Sequence, residues 1–387
     1  MNKKNLSFRT RSIHVGSNRD PQTGAVVPPI HVASTYVLPG AGEPSEFDYA
    51  RTGNPSRQRL EQLVASLEGG VGGLAYSSGM AATHGAMMLL KQGDHVIAGA
   101  DIYGGTYRLL HKVLNQAGIE VSLVDTRQIH RLDQAARDNT RMLWLESPGN
   151  PLMSITDLEQ CCRWAKSRKI LVGVDNTFAT PVLTRPLEFG ADIVMHSATK
   201  YLGGHSDALG GVLVTSQTEI LERLHFFQNA VGNVMSPWDA YLVGRGIKTL
   251  ELRVREQSST ALRLAEFLSQ HPRVRSVNYP GLEQHPGYEI ALRQMDGAFG
   301  AMISFEAGDD FSQAKTMVES TGLFQLAVSL GAVESLIEQP ASMSHAAYDR
   351  EDRLAHGITD SLVRISVGLE SFDDLKADLS QALDSMD

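Results

Sequence analysis

Two stretches decide the fold: Ile170-Leu171-Val172-Gly173-Val174-Asp175-Asn176-Thr177 and Asp192-Ile193-Val194-Met195-His196-Ser197-Ala198-Thr199-Lys200. Each is a strand-length apolar run that ends in a group able to do chemistry. Continuous apolar runs of this kind belong to strands buried on both faces, as in parallel sheets. In open α/β sheets ligands bind beyond the carboxyl ends of the strands, which is where Asp175 and Lys200 would project. Taken singly, Asp175 reads as well as a cap for the next segment, and Lys200 as a solvated loop charge. Neighbouring strands would bring the acid, the amine and the hydroxyls of Ser197 and Thr199 into one crevice.

The surrounding chain supports that sheet. From residue 54 to about 215, strand and helix patterns alternate, with strands expected at Asp94–Ala98, Ile119–Val124, Met142–Leu145, Ile170–Val174 and Asp192–His196. Asn54-Pro55-Ser56 opens a helix that carries Leu60, Leu63, Val64 and Leu67 at helical spacing and stops at Gly69-Gly70. A second amphipathic helix is expected over Tyr107–Ala117. Strict alternation implies a mostly parallel sheet covered on both faces. After Pro237 a long helical stretch, Trp238 to Gln270, includes Gly244 and Gly246 and should bend there. Strands at Val274–Tyr279, Ala301–Phe305 and Leu362–Val367 then suggest a smaller α+β domain. Residues 1–53 are rich in turn formers without periodicity and read as an ordered arm. The expected division is therefore an arm over 1–53, a large domain over 54–247 and a small C-terminal domain over 248–387.

Composition narrows the function. A chain of 387 residues exceeds what one core usually serves. Its net charge of −9 argues against nucleic acid as the main partner. The apolar runs are too short for a membrane span, and Met1-Asn2-Lys3-Lys4-Asn5 does not lead into a secretory segment. The two cysteines, Cys161 and Cys162, are adjacent, so neither a disulfide framework nor a structural zinc site is expected. A reducing, cytoplasmic setting follows.

A third element, Ala75-Tyr76-Ser77-Ser78-Gly79-Met80-Ala81-Ala82-Thr83, runs from a short strand through a tight turn into a helix of small residues. Free N–H groups at such a helix start, aided by the macrodipole, form an anion site, and Gly79 permits close approach. An amine, an acid and phosphate donors together are what pyridoxal phosphate requires. Gly70-Val71-Gly72-Gly73-Leu74-Ala75 matches the dinucleotide fingerprint by letter, but follows a helix and enters a strand. That is the wrong context, so a nicotinamide dehydrogenase is not supported.

Further motifs then fall into register: Tyr49-Ala50-Arg51-Thr52-Gly53-Asn54-Pro55, Ser77 to Ala82, Asp101-Ile102-Tyr103-Gly104-Gly105-Thr106, Glu146-Ser147-Pro148-Gly149-Asn150-Pro151, Val174 to Ala179, and His196 to Tyr201. With Tyr279-Pro280-Gly281-Leu282, Ser329-Leu330-Gly331 and Val363 to Glu370, they span almost the whole chain. The sequence closely resembles the cystathionine γ-lyase, γ-synthase and β-lyase group of Cys/Met-metabolism enzymes. The resemblance implies the type I, aspartate aminotransferase-like fold and pyridoxal 5′-phosphate as cofactor. It implies that Lys200 carries the cofactor, Asp175 faces its ring nitrogen and Tyr103 stacks on its ring. Gly79, Met80, Ser197 and Thr199 match the phosphate cradle, and Thr177 joins the cofactor-binding set. Tyr49 and Arg51 match residues that reach the phosphate of a neighbouring subunit, which implies a homo-oligomer, a tetramer of paired dimers, with shared sites. Arg364, with Asn150 and Ser329, matches the clamp on the substrate α-carboxylate. By its pattern alone, Arg364 reads equally as an edge-strand surface charge.

Substrate choice is less legible. The chain reads Ala327-Val328-Ser329 where many cystathionine-specific members carry an acidic residue, a feature resembling methionine γ-lyases and some bacterial β-lyases. Yet Gly104-Gly105-Thr106 lacks the cysteine usual in methionine γ-lyases. The expectation is a carbon–sulfur lyase of trans-sulfuration that cleaves cystathionine by γ-elimination. Cystathionine β-lyase, methionine γ-lyase and an O-acyl-homoserine-using synthase are the alternatives.

Overall fold

The structure, a computed structural model, describes residues 6–346 and 349–386. Residues 1–5 of the expected arm lie outside the described residues. The alternating segment forms one seven-stranded sheet: β1 (Gly72–Tyr76), β2 (His95–Gly99), β3 (Glu120–Val124), β4 (Thr140–Glu146), β5 (Leu171–Asp175), β6 (Ile193–Ser197) and β7 (Gly211–Thr215). Their spatial order is β1-β7-β6-β5-β4-β2-β3. Every pairing from β3 through to β6 is parallel. Only β7 runs antiparallel, to β1 and β6. The alternation pattern did not reveal this reversal. Its cause is the connection from β6 to β7, which holds no crossover helix; a parallel return needs one. That connection is the loop carrying Lys200.

Helix α1 (Phe8–His14) packs on α2 (Pro55–Glu68), which packs on β1, and two further helices, α3 (Gly79–Met87) and α4 (Gly104–Arg108), border the site. Asn54 caps α2 as its sequence suggests, accepting from Ser56 N at 2.9 Å and Arg57 N at 3.2 Å, and Gly69 closes the helix in the left-handed conformation. Beyond α4 the expected helix over Tyr107–Ala117 is irregular: it widens into a π-turn over Leu109–Leu114 and tightens over Asn115–Ala117. A π-turn adds a residue per turn, which carries Val113 out to solvent while Leu109, Leu110 and Leu114 stay buried.

The stretch expected as one bent helix is two helices, Pro237–Ile247 and Leu250–Ser269. A Cβ on Gly246 would collide with the Gly203 carbonyl, so the first helix packs backbone against backbone there. The Gly246 carbonyl, released from the helix, accepts from Arg253 Nη2 at 2.8 Å, and Arg253 Nη1 donates to Tyr201 O at 2.9 Å. The guanidinium thus supplies what the interrupted helix loses.

The second sheet contains β8 (Val274–Asn278), β9 (Met302–Ala307), β10 (Gln325–Leu326), β11 (Leu336–Glu338) and β12 (Leu362–Ser366), ordered β10-β11-β12-β9-β8. Here β12 is central, antiparallel to β11 and β9. Arg364 therefore sits on a fully buried strand, and the edge-strand surface reading is excluded. No helix among the described residues is long and apolar enough to cross a membrane.

Candidate active site

At the carboxyl ends of β5 and β6 the chain opens a cavity of about 450 Å³. The register explains the convergence: Asp175 pairs with Met195 of β6 on one side and Glu146 of β4 on the other. Thr177 ties the strand ends together. Its N–H donates to Asp175 Oδ1 at 3.0 Å, and its Oγ1 accepts from Ser197 N at 2.9 Å. Thr199 Oγ1 accepts from Gly210 N at 3.0 Å and fastens the following loop. Lys200 emerges from that loop beneath the second sheet.

Lys200 Nζ donates to Ser329 Oγ at 2.6 Å. Burial, with a smaller contribution from the nearby Arg364 cation, pushes its pKa down to about 8 against the opposing pull of Glu338. Asp175 is buried, which raises its pKa; hydrogen bonds from Thr177, then the proximity of His196, counter that rise. Burial shifts both the amine and the acid toward their neutral forms, a common property of working sites.

The start of α3 faces the same space. Ser78 Oγ accepts from Ala81 N at 3.0 Å, leaving the Gly79 and Met80 amides without intrahelical acceptors. A Cβ at Gly79 would stand 2.9 Å from Ser197 Oγ, so only glycine keeps the cradle open. Opposite it, the Tyr103 ring lies across Gly105 and beside the Met80 sulfur, and Tyr103 N donates to Glu146 Oε2 at 2.8 Å.

Arg364 reaches in from the small sheet. Its Nη1 lies 3.1 Å from Glu338 Oε1 and donates to Asn150 Oδ1 at 2.9 Å; Nη2 donates to the Ser329 carbonyl at 3.0 Å. Its Nε is buried and makes no hydrogen bond. Ser329, at φ 118, holds a conformation normally reserved for glycine, while its hydroxyl engages Lys200 and its carbonyl engages Arg364. A guanidinium with a buried unused donor is suited to an incoming carboxylate.

The cavity therefore gathers Gly79, Met80, Tyr103, Asn150, Asp175, Thr177, Ser197, Thr199, Lys200, Val328, Ser329 and Arg364. Its donor set fits pyridoxal phosphate: an amine of lowered pKa, a buried acid and an anion cradle at a helix start. Tyr49 and Arg51 do not line the cavity of their own subunit. Arg51 Nε instead donates to Asn229 Oδ1 at 3.2 Å, and Tyr49 is 46% exposed. Four charged lining residues were given no role by the sequence reading: Arg108, Lys112, Glu146 and Glu338. Glu146 gave the same signal as Asp175, a carboxyl closing an apolar run, and was overlooked because β4 was ended one residue early. Glu338 is the lone charge in Leu336–Glu338. Arg108 had no signal beyond its helical pattern.

With this geometry in hand, comparison with known proteins decides the family. Residues 9–384 match the model described as Cys/Met metabolism PLP-dependent enzyme. The chain belongs to that family. It is an enzyme of sulfur amino-acid metabolism that depends on pyridoxal phosphate. It is 50% identical over 381 residues to the cystathionine gamma-lyase of Bacillus subtilis, covering 98% of this chain and 100% of that one. It is 49% identical over 378 residues to the cystathionine beta-lyase of Lactococcus lactis, covering 98% and 99%. The crystal structure of cystathionine gamma-lyase from Lactobacillus plantarum complexed with L-serine superposes with a TM-score of 0.96 at 43% identity, covering 98% and 99%. The type I transferase fold expected from the motifs is thus the fold of this family member.

The lowered pKa of Lys200 has a direct consequence. In cofactor-free protein, acylation of Lys200 should follow the free amine and reach half its maximal rate near pH 8, read by peptide mass spectrometry. In Arg364→Ala the midpoint should move up, since a cation is removed and Glu338 loses its counter-charge. A wild-type midpoint at the ordinary lysine value, or a downward move in the variant, would contradict this.

Proposed function

We propose that this enzyme cleaves cystathionine by γ-elimination, releasing cysteine, 2-oxobutanoate and ammonia. Cystathionine carries a carboxylate at each end. The observation that carries the choice of cystathionine is that the cavity containing Lys200 and Arg364 is also lined by Arg108 and Lys112. Arg364, Asn150 and Ser329 orient the α-carboxylate, and the two exposed cations meet the distal one.

The same reading assigns the cofactor's contacts. The Gly79 and Met80 amides, with the Ser197 and Thr199 hydroxyls, hold the phosphate. Asp175, backed by Thr177, faces the ring nitrogen, Tyr103 covers the ring, and Lys200 carries the cofactor. When bound, pyridoxal phosphate supplies a ring that takes up the electron pair left at the substrate α-carbon. Once the substrate's amine has taken its place on the cofactor, Lys200 Nζ would be a free amine of lowered pKa, able to remove the α-proton. γ-Elimination needs a second proton removal, at Cβ, which β-elimination does not. Lys200 and Tyr103 together offer two groups for those two steps.

β-Elimination of the same substrate is the second reading, favoured by one observation: Val328 lines the cavity and is 62% exposed. Its apolar surface resembles that of some bacterial β-lyases and also suits a thioether such as methionine. The division into an arm over 1–53, a cofactor-binding unit over 54–247 and a C-terminal unit over 248–387 belongs to the proposal. So does a closed oligomer, a tetramer of dimers, in which Tyr49 and Arg51 reach a neighbour's phosphate site. Support for the latter is that both residues are exposed on the arm and absent from their own cavity.

Two measurements test these points. Incubation with cystathionine should give cysteine and 2-oxobutanoate in equal amounts; homocysteine with pyruvate would establish β-elimination instead. Mixing inactive Arg51→Ala with inactive Lys200→Ala subunits should restore part of the activity, because one site of each hybrid pair regains both native residues. No recovery after demonstrated subunit exchange would exclude sharing.

A further inference from the structure

Glu146 has no part in the chemistry above, yet it is one of the most constrained side chains in the cavity. It closes β4 in direct register with Asp175, so the two carboxyls lie on the same face of adjacent parallel strands. It is 7% exposed and Asp175 is 5% exposed. Its Oε2 accepts the Tyr103 N–H at 2.8 Å. Tyr103 precedes α4 and has no side-chain cap of its own, so this hydrogen bond is what fastens its backbone to the sheet.

We propose that Glu146 is a positioning residue: in its protonated form it holds Tyr103 over the cavity while leaving Asp175 the single negative charge offered to the cofactor nitrogen. The inference rests on the assignment of Tyr103 and Asp175 made above. Two buried carboxylates side by side repel each other, and one takes up a proton. The surroundings select Glu146 for that part. Burial raises its pKa well above the ordinary glutamate range, the charge of Asp175 raises it further, and Asp101 adds to the effect. The Tyr103 N–H and the Arg364 cation oppose it and are outweighed. Lys200 and Glu338 face the same cavity, Glu338 in an ion pair with Arg364 at 3.1 Å. Asp175, in contrast, has Thr177 and His196 favouring its charged form and gains a cation when the cofactor binds.

A carboxyl whose proton is held more tightly in the folded protein contributes stability at low pH, and that contribution is lost as pH rises from its unfolded pKa through its folded one.

Glu146→Gln keeps an acceptor for Tyr103 and cannot ionise; Glu146→Leu loses the acceptor. In holoenzyme, Glu146→Leu should lower kcat/KM by about tenfold or more, chiefly in kcat, and change the visible circular dichroism of the bound cofactor. Glu146→Gln should recover most of both. The melting temperature of wild-type holoenzyme should fall more steeply than that of Glu146→Gln as pH rises from about 5 to about 9. The proposal is overturned if Glu146→Gln is as impaired as Glu146→Leu, if Glu146→Leu is indistinguishable from wild type, or if the wild-type and Glu146→Gln melting curves stay parallel. Should Glu146→Leu not fold, the activity and melting of Glu146→Gln decide. Asp175→Asn, run alongside, separates the two levels. Full activity there would overturn the site assignment itself, whereas its collapse leaves only the role of Glu146 at issue.

Discussion

Parallel strands that lie side by side end at the same edge of their sheet, and here that edge must accommodate buried acids and a buried amine together. Asp175 and Glu146 leave water because β4 and β5 are apolar on both faces and pull their terminal residues under cover, and Lys200, on the loop after β6, is covered by Ser329 and Arg364 from the second sheet's side. An isolated buried charge is costly, so each such group needs a partner or changes its protonation state. The rest of the site answers that requirement: Thr177 bonds Asp175, Ser329 bonds Lys200, and Glu338 pairs with Arg364.

These arrangements leave specific deficits. Arg364 Nε has no acceptor, and the first residues of α3, Gly79 and Met80, border the cavity without intrahelical acceptors for their amides. Asp175 is held where a cation would favour its ionised form. On the proposed assignment, a phosphate, a ring cation and a substrate carboxylate would supply the missing partners, so ligand binding would restore interactions that folding forfeits at this edge. The strained backbone of Ser329 follows the same logic, since one residue bonds both the lysine of the large sheet and the arginine of the small one.

Legibility in the sequence followed periodicity. The runs ending at Asp175 and His196 announced themselves because both faces are buried, and the motifs around Gly79, Tyr103 and Lys200 carried the family. The antiparallel course of β7 was hidden because apolar runs do not record direction; only the absence of a crossover helix between Ser197 and Gly211 does. The break after Ile247 was hidden for another reason. Its cause is a contact between Gly246 and Gly203 and a carbonyl captured by Arg253, interactions between residues distant in sequence. Glu146 was within reach, since it closes its apolar run as Asp175 does, but a boundary error of one residue removed it from view. Tyr49 and Arg51 could be tied to a site only through the family, because their own subunit gives them no place in its cavity.

The central claim is that adjacency of β5 and β6 makes Lys200, and no other lysine, the attachment point of the cofactor. Borohydride reduction of the holoenzyme, followed by proteolysis and mass spectrometry, tests it most directly. The account predicts the reduced cofactor on the peptide containing Lys200, with none on Lys112, the other lysine lining the cavity. Label on Lys112, or on a lysine outside the cavity, would contradict it.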